Sequence, residues 1–94
     1  MRGELVVDEG AARALLRDGK SLLPAGIRLV HGRFGRGDAV LIRGLEGPAI
    51  ACGLCNYAAY ELAVIAGHRS EEIAPLLGYT FGPEVVHRNN LAVL

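Results

Sequence analysis

Tryptophan is absent from this 94-residue chain, and three tyrosines and two phenylalanines are its only aromatic residues. So few rings offer little for stacking single-stranded bases. Net charge is also missing: ten lysines and arginines match ten aspartates and glutamates, so no global field draws the chain to nucleic acid. No apolar run approaches the length of a membrane span, and the N-terminal residues lack the basic and hydrophobic pattern of a signal peptide. No membrane partner is therefore expected, and the expected compartment is the cytoplasm. There is no repeat of fixed period and no low-complexity tract. Ninety-four residues make one domain, 1–94, and leave no room for two enzyme lobes. What is plentiful is apolar character: 51% of residues are hydrophobic and the mean hydropathy is +0.30. That is rich for a small domain, and it leaves apolar surface for a partner.

The balanced charge hides an asymmetry. Between Ala11 and Arg43 stand seven basic residues (Arg13, Arg17, Lys20, Arg28, Arg33, Arg36, Arg43) against two acids, Asp18 and Asp38, while the remainder carries three basic and eight acidic residues. Such an excess marks a solvated face or a polyanion-binding one.

The chain turns on the stretch Gly19-Lys20-Ser21-Leu22-Leu23-Pro24-Ala25-Gly26-Ile27. Gly19 can take the left-handed conformation that ends a helix, and Pro24 restricts Leu23 to extended backbone. Gly19-Lys20-Ser21 has the tail of a phosphate-binding loop, but that loop needs a glycine where Ala14 stands and must open a helix rather than close one.

Before the corner, Glu4 to Val7 reads as a strand, Asp8 as an N-cap, and the residues to about Asp18 as a helix with Ala11, Ala12, Leu15 and Leu16 toward the core. Arg13, Arg17 and Lys20 follow at offsets of four and three, the one basic stripe that helical geometry lines up. After the corner, Ile27–Val30, Ala39–Arg43 and Ala49–Leu54 read as strands, most economically an antiparallel meander, with a glycine- and arginine-rich loop from Gly32 to Asp38. Asn56 is placed to cap a helix from Tyr57 to Ala66, and a second short helix is expected from Ser70 to Gly78, limited by Pro75. Val85–His87 and Leu91–Val93 read as strands around an Asn89-Asn90 turn, the last able to close a barrel against the first.

Several motifs resolve into structure rather than chemistry. Cys52-Gly53-Leu54-Cys55 has the spacing of zinc and redox sites, but no second cysteine pair exists and His31, His68 and His87 are not spaced as ligands. Both thiols are expected as small buried apolar residues. His87-Arg88-Asn89-Asn90 has the outline of a kinase catalytic loop but lacks its aspartate, and the chain has no glycine-rich phosphate cover. No nucleophile is identifiably paired with His31. Tyr57 and Tyr60 are expected to pack helix against barrel. No catalytic, cofactor-binding or metal-binding residue emerges.

The stretches Gly3 to Ala11 and Gly19 to Ile27, then Gly53-Leu54-Cys55-Asn56-Tyr57, Ile65-Ala66-Gly67, Leu77-Gly78-Tyr79 and Val85 to Leu91, resemble the C-terminal PUA domain of the bacterial glutamate 5-kinase family over nearly the whole chain. The resemblance implies a mixed α/β PUA-like pseudo-barrel of five to six mostly antiparallel strands with two to three flanking helices. It also implies a parent enzyme that uses ATP and Mg2+ to phosphorylate the side-chain carboxylate of L-glutamate, under feedback inhibition by proline. That chemistry belongs to an N-terminal amino-acid kinase domain outside these residues, so no cofactor is expected here. The partners implied are that kinase domain and a homo-oligomer. Met1 stands directly before the domain, as expected of either an excised or a free-standing one. Because PUA domains elsewhere bind structured RNA, Arg13, Arg17, Lys20, Ser21 and Arg28 are the candidate polyanion-binding residues. Cys52 stands where the family usually has arginine and Asn89 where it usually has aspartate, so an ion pair made there elsewhere is absent.

Overall fold

The computed structural model describes all 94 residues. In chain order they form strand β1 (Gly3–Val7), helix α1 (Glu9–Asp18), strands β2 (Ile27–Gly32), β3 (Ala39–Arg43) and β4 (Ala49–Leu54), helices α2 (Ala59–Ile65) and α3 (Ile73–Leu77), and strand β5 (Leu91–Val93). Single 3-10 turns occupy Pro24–Gly26, Ser70–Glu72 and Arg88–Asn90. No helix is long and apolar enough to cross a membrane.

Helix α1 starts and stops where its punctuation places it. The Asp8 carboxylate accepts the Ala11 N–H at 2.8 Å, Gly19 sits at φ +59°, and the Lys20 N–H returns to the Ala14 carbonyl at 3.1 Å. This is the left-handed helix end that glycine permits. Leu15 is buried with Ala11 and Ala12 packed beside it. Leu16, expected inside, is 47% exposed, because a short helix on a small sheet covers only a narrow stripe.

The strands lie in the order β2-β1-β3-β4-β5. The expected meander is therefore wrong at one step: β3 pairs with β1, in parallel, rather than with β2. The reason lies in β1 itself. Leu5, Val6 and Val7 are all buried, and a continuous apolar run suits a central strand flanked on both sides, not an edge. β2 takes one flank antiparallel, and residues 33–38 carry the chain across to the other. The remaining pairs, β3–β4 and β4–β5, are antiparallel. Across the parallel pair Arg43 Nε donates to Glu4 Oε1 at 3.0 Å. The pair is part-exposed, so it contributes at most about 1 kcal/mol.

The C-terminal residues also depart from expectation. Val85–His87 and Leu91–Val93 do not pair with each other: Val86 makes a single bridge to Leu22, and β5 joins β4. The chain end cannot close against β1, whose two flanks are already taken by β2 and β3.

Asn56 does not cap α2. Its side chain donates to the Glu84 carbonyl at 3.1 Å, and the N-terminal N–H of Ala58 is met at 2.7 Å by Glu61 Oε1 from within the helix. In α3, Pro75 falls in the first turn, where a missing N–H costs no helical bond, and Gly78 at φ +87° ends it. One contiguous core of 16 residues joins the sheet to all three helices through Leu15, Leu62, Ile65 and Ile73. Cys55 belongs to it, whereas Cys52, also expected inside, is only half-buried. Tyr57 is fully buried, but Tyr60, expected to pack beside it, is 73% exposed.

Gly53 is where β4 meets the turn before β5: a Cβ there would lie 2.5 Å from Val86 Cγ1 and 2.8 Å from the Asn90 carbonyl oxygen. Gly53→Ala is expected to destabilise the domain by about 1–3 kcal/mol through overpacking. At Gly10, in the first turn of α1, a Cβ would meet only Asp8 Oδ1 at 3.5 Å, and Gly10→Ala should stabilise by about 0.5 kcal/mol. Urea unfolding midpoints of the two variants, moving in opposite directions, test the packing at both places.

Candidate functional site

The Lys20–Gly26 corner is tied down at every step. The Ser21 hydroxyl accepts the Arg88 N–H at 2.8 Å. The Leu22 N–H donates to the Val86 carbonyl at 2.9 Å, and the Val85 N–H to the Leu22 carbonyl at 2.8 Å. Pro24 is buried and its carbonyl accepts the Gly67 N–H at 2.8 Å. Gly26 lies so close to α1 that a Cβ on it would be 2.5 Å from the Ala11 methyl.

Held this way, the corner forms one wall of an open cleft of about 840 Å3. Ala11 and Ala14 of α1 face it, and the Arg69–Glu71 turn with Pro83 and Glu84 forms the far side. Its charges are mixed: Lys20 and Arg69 against Asp8, Glu71 and Glu84. Arg69 Nε is 3.3 Å from Glu71 Oε1 and 3.9 Å from Glu72 Oε1. The Glu72 carboxyl is held below its usual range by the Arg69 backbone N–H and then by the His68 ring. Lys20 alone among the lining cations has no carboxylate partner.

Only part of the sequence-derived polyanion set meets here. Lys20 and Ser21 line the cleft; Arg13, Arg17 and Arg28 do not. Arg13 and Arg17 stand exposed on the solvent side of α1 and Arg28 is exposed on β2, none of them in an ion pair. The Ser21 hydroxyl accepts the Arg88 N–H and keeps its own O–H as a donor. Nowhere do three or more His, Cys, Asp or Glu side chains gather in a group that could hold a metal ion.

A second cluster was not visible in the sequence. Tyr57, Tyr79 and Phe81 converge, with ring centroids 5.4 Å apart for Tyr57–Phe81 and 5.3 Å for Tyr79–Phe81. The guanidinium carbon of Arg36 sits 3.9 Å from the Phe81 centroid, within range of a cation–π contact. The Tyr57 hydroxyl donates to the Gly82 carbonyl at 2.6 Å and accepts the Phe81 N–H at 2.8 Å. Beneath them, Glu61 is 3% exposed. One of its oxygens takes the Ala58 N–H and the other the Tyr79 hydroxyl. That carboxylate, then desolvation, raises the Tyr79 pKa well above the ordinary phenol range. Residues so far apart in the chain leave no spacing signal. A lone glutamate in an otherwise apolar helix was the only hint.

Comparison with known proteins places this geometry. The PUA domain profile matches residues 3–77. A glutamate 5-kinase of Thermus thermophilus is 54% identical over 92 residues, which make up 98% of this chain and 25% of that protein. One from Syntrophotalea carbinolica is similar to the same degree, and the matching stretch is the C-terminal region of these enzymes. The chain thus spans about a quarter of the length of the curated relatives it matches. Among solved structures, a PUA domain from Aeropyrum pernix K1, determined as a tartrate complex, superposes with a TM-score of 0.67 at 26% identity, over 93% of this chain and 42% of that one. A conserved PUA domain protein from Thermoplasma acidophilum gives 0.60 at 31% identity, over 66% and 40%.

Two groups link stability to alkaline pH. Burial pushes the Cys55 thiol from 9.0 up to about 11, and Tyr79 is raised as described. Both are held protonated by the fold, so the native state binds more protons than the unfolded one once the unfolded chain ionises. The Cys55 contribution is complete below pH 9 and is lost from there up to about pH 11, where the folded thiol ionises, and that of Tyr79 begins to be lost only above its ordinary value of 10.0. The urea midpoint should be flat from neutral pH to pH 9 and fall above it. A Cys55→Ala, Tyr79→Phe double variant should show a shallower fall, and an unchanged slope would refute the assignment.

Proposed function

The chain belongs to the PUA domain family, and we propose that it is the C-terminal accessory domain of a cytoplasmic glutamate 5-kinase. The observation that carries this reading is 54% identity sustained over 98% of the chain. In this reading the preceding catalytic domain, with ATP and Mg2+, transfers phosphate to the side-chain carboxylate of L-glutamate on the route to proline. The present residues contribute contacts: they bias the activity or the homo-oligomeric assembly of the enzyme through surfaces that touch its catalytic part. Such a role needs apolar area left over after the core is filled. Leu16, Leu23, Leu29, Tyr60, Val64 and Leu76 supply it, all exposed in the isolated domain. Deleting Gly3 to Leu94 from the parent enzyme is expected to change its oligomeric state, its kinetic constants or its inhibition by proline. If all three were unchanged, the accessory role would be wrong.

One observation favours a second reading, an RNA-binding module: Arg13 and Arg17 are exposed and unpaired on the solvent side of α1, and Lys20, just past its end, is exposed and unpaired at the cleft. Phosphate contacts dominate such binding and make it salt-sensitive. The acids on the opposite wall, Glu71 and Glu84, oppose a polyanion there. Titrating labelled tRNA with the domain at two salt concentrations separates the readings. The accessory role predicts only association in the non-specific range, roughly 10^-4 to 10^-6 M, whereas tighter binding lost in an Arg13, Arg17, Lys20 to alanine variant would favour RNA.

A further inference from the structure

We propose that the outer face of α2, continued by Tyr79, Phe81 and Arg36, is the surface that docks against the catalytic domain preceding it in the same polypeptide. The inference rests on the accessory-domain reading and names its contact surface.

The polarity of α2 is inverted. A helix on the surface of a small domain normally turns its charges to water and its apolar residues to the core, and one that is apolar all round is a buried helix. In Ala59–Ile65 the only ionisable group besides the Tyr60 phenol is Glu61, and it points inward to Ala58 and Tyr79. What faces water is Tyr60, Ala63 and, 45% exposed, Val64. The helix is complete as a buried element and lacks its cover.

The patch continues beyond the helix. Tyr60 precedes Glu61, whose carboxylate takes the Tyr79 hydroxyl, Tyr79 packs on Phe81, and Phe81 carries the Arg36 guanidinium. Glu61 holds the Tyr79 hydroxyl and the Tyr57 hydroxyl holds the Phe81 backbone N–H from beneath, so these two positions lose little freedom on association. Tyrosine and arginine are the side chains that most often dominate binding energy at protein interfaces.

Three observations choose the occupant. The relatives are about four times longer than this chain and match it with their C-terminal region, so their catalytic part precedes Gly3. Gly3 lies directly against the Phe34 ring, and the Phe34 carbonyl accepts the Ala59 N–H at 3.0 Å, at the first turn of α2. A domain joined at residue 3 therefore begins beside this patch, and a short tether gives it a high effective concentration there. Arg36 is exposed and has no carboxylate partner within the chain. The complementary surface is thus one that sets a carboxylate over Arg36 and aliphatic side chains over Tyr60 and Val64. A second copy of this patch would fit less well, since its own carboxylate, Glu61, is buried and engaged.

Hydroxyl-radical footprinting tests this on a full-length glutamate 5-kinase carrying this domain, beside the 94-residue chain alone. Oxidation of Tyr60 and Phe81 is expected to fall several-fold in the full-length enzyme, with Leu16 and Leu29 unchanged. An Arg36→Glu, Val64→Glu variant should restore the rate while leaving the thermal midpoint of the isolated chain in place. Protection of Leu16 and Leu29 instead would overturn this face and keep the accessory reading. Protection nowhere would overturn both. Concentration-dependent protection of Tyr60 in the isolated chain would assign the face to a second copy and overturn the proposal.

Discussion

The clasp between Leu22 and Val85–Val86 is the contact on which the rest of the domain depends. β2 and β5 are the two edges of the sheet and do not pair with each other. Leu22 lies just before β2 and Val86 just before β5, and their bridge joins the approaches to those edges. Ser21 extends the clasp to Arg88, and the Asn56 N–H, 2.7 Å from the Val85 carbonyl, extends it to the start of the α2 region. A sheet whose edge strands stay apart must find closure in such bonds or leave its core open.

The clasp also explains why small residues stand where they do. Gly53 lets Val86 and Asn90 approach β4, and Gly26 lets the corner lie on α1. Both are close approaches rather than left-handed conformations. At the other end, Gly3 makes room for Phe34, which fixes the loop that carries the chain from β2 across to β3. The parallel β1–β3 pair therefore depends on a glycine and an aromatic ring as much as on its own ladder.

Local punctuation was legible in the sequence. Asp8, Gly19, Pro24 and Gly78 announce the ends they make, because each acts through its own backbone or the next turn. The bounds of β3 and β4 were readable for the same reason. Pairing was not: a meander and a parallel crossover use the same strands, and only the unbroken Leu5-Val6-Val7 run spoke for a central β1. The candidate site divided in the same way. Helical spacing put Arg13, Arg17 and Lys20 on one stripe, but the cleft takes only Lys20 from it, since the far wall comes from residues 69–71 and 83–84. Asn56 misled because a partner 28 residues away offered its side chain a better bond than the helix end did.

Exposed apolar residues alone argue nothing in a domain this small, where the surface is too large for polar groups to cover. Leu45, Leu54 and Leu94 are exposed, and that scatter is what a short chain predicts. The face of α2 differs in kind. There the one group able to make the helix amphipathic in the ordinary sense, Glu61, is turned inward, where desolvation opposes an ionised carboxylate, and the bonds from Ala58 and Tyr79 offset that opposition. Turned outward, Glu61 would give α2 a solvated face and leave Tyr79 without its partner. The inward choice fixes Tyr79 and leaves the helix apolar outside, so the order beneath the patch and the lack of charge on the outer face of α2 have one cause. A surface both rigid and apolar loses little entropy on association and has few polar groups to desolvate, which distinguishes a docking face from leftover hydrophobic area.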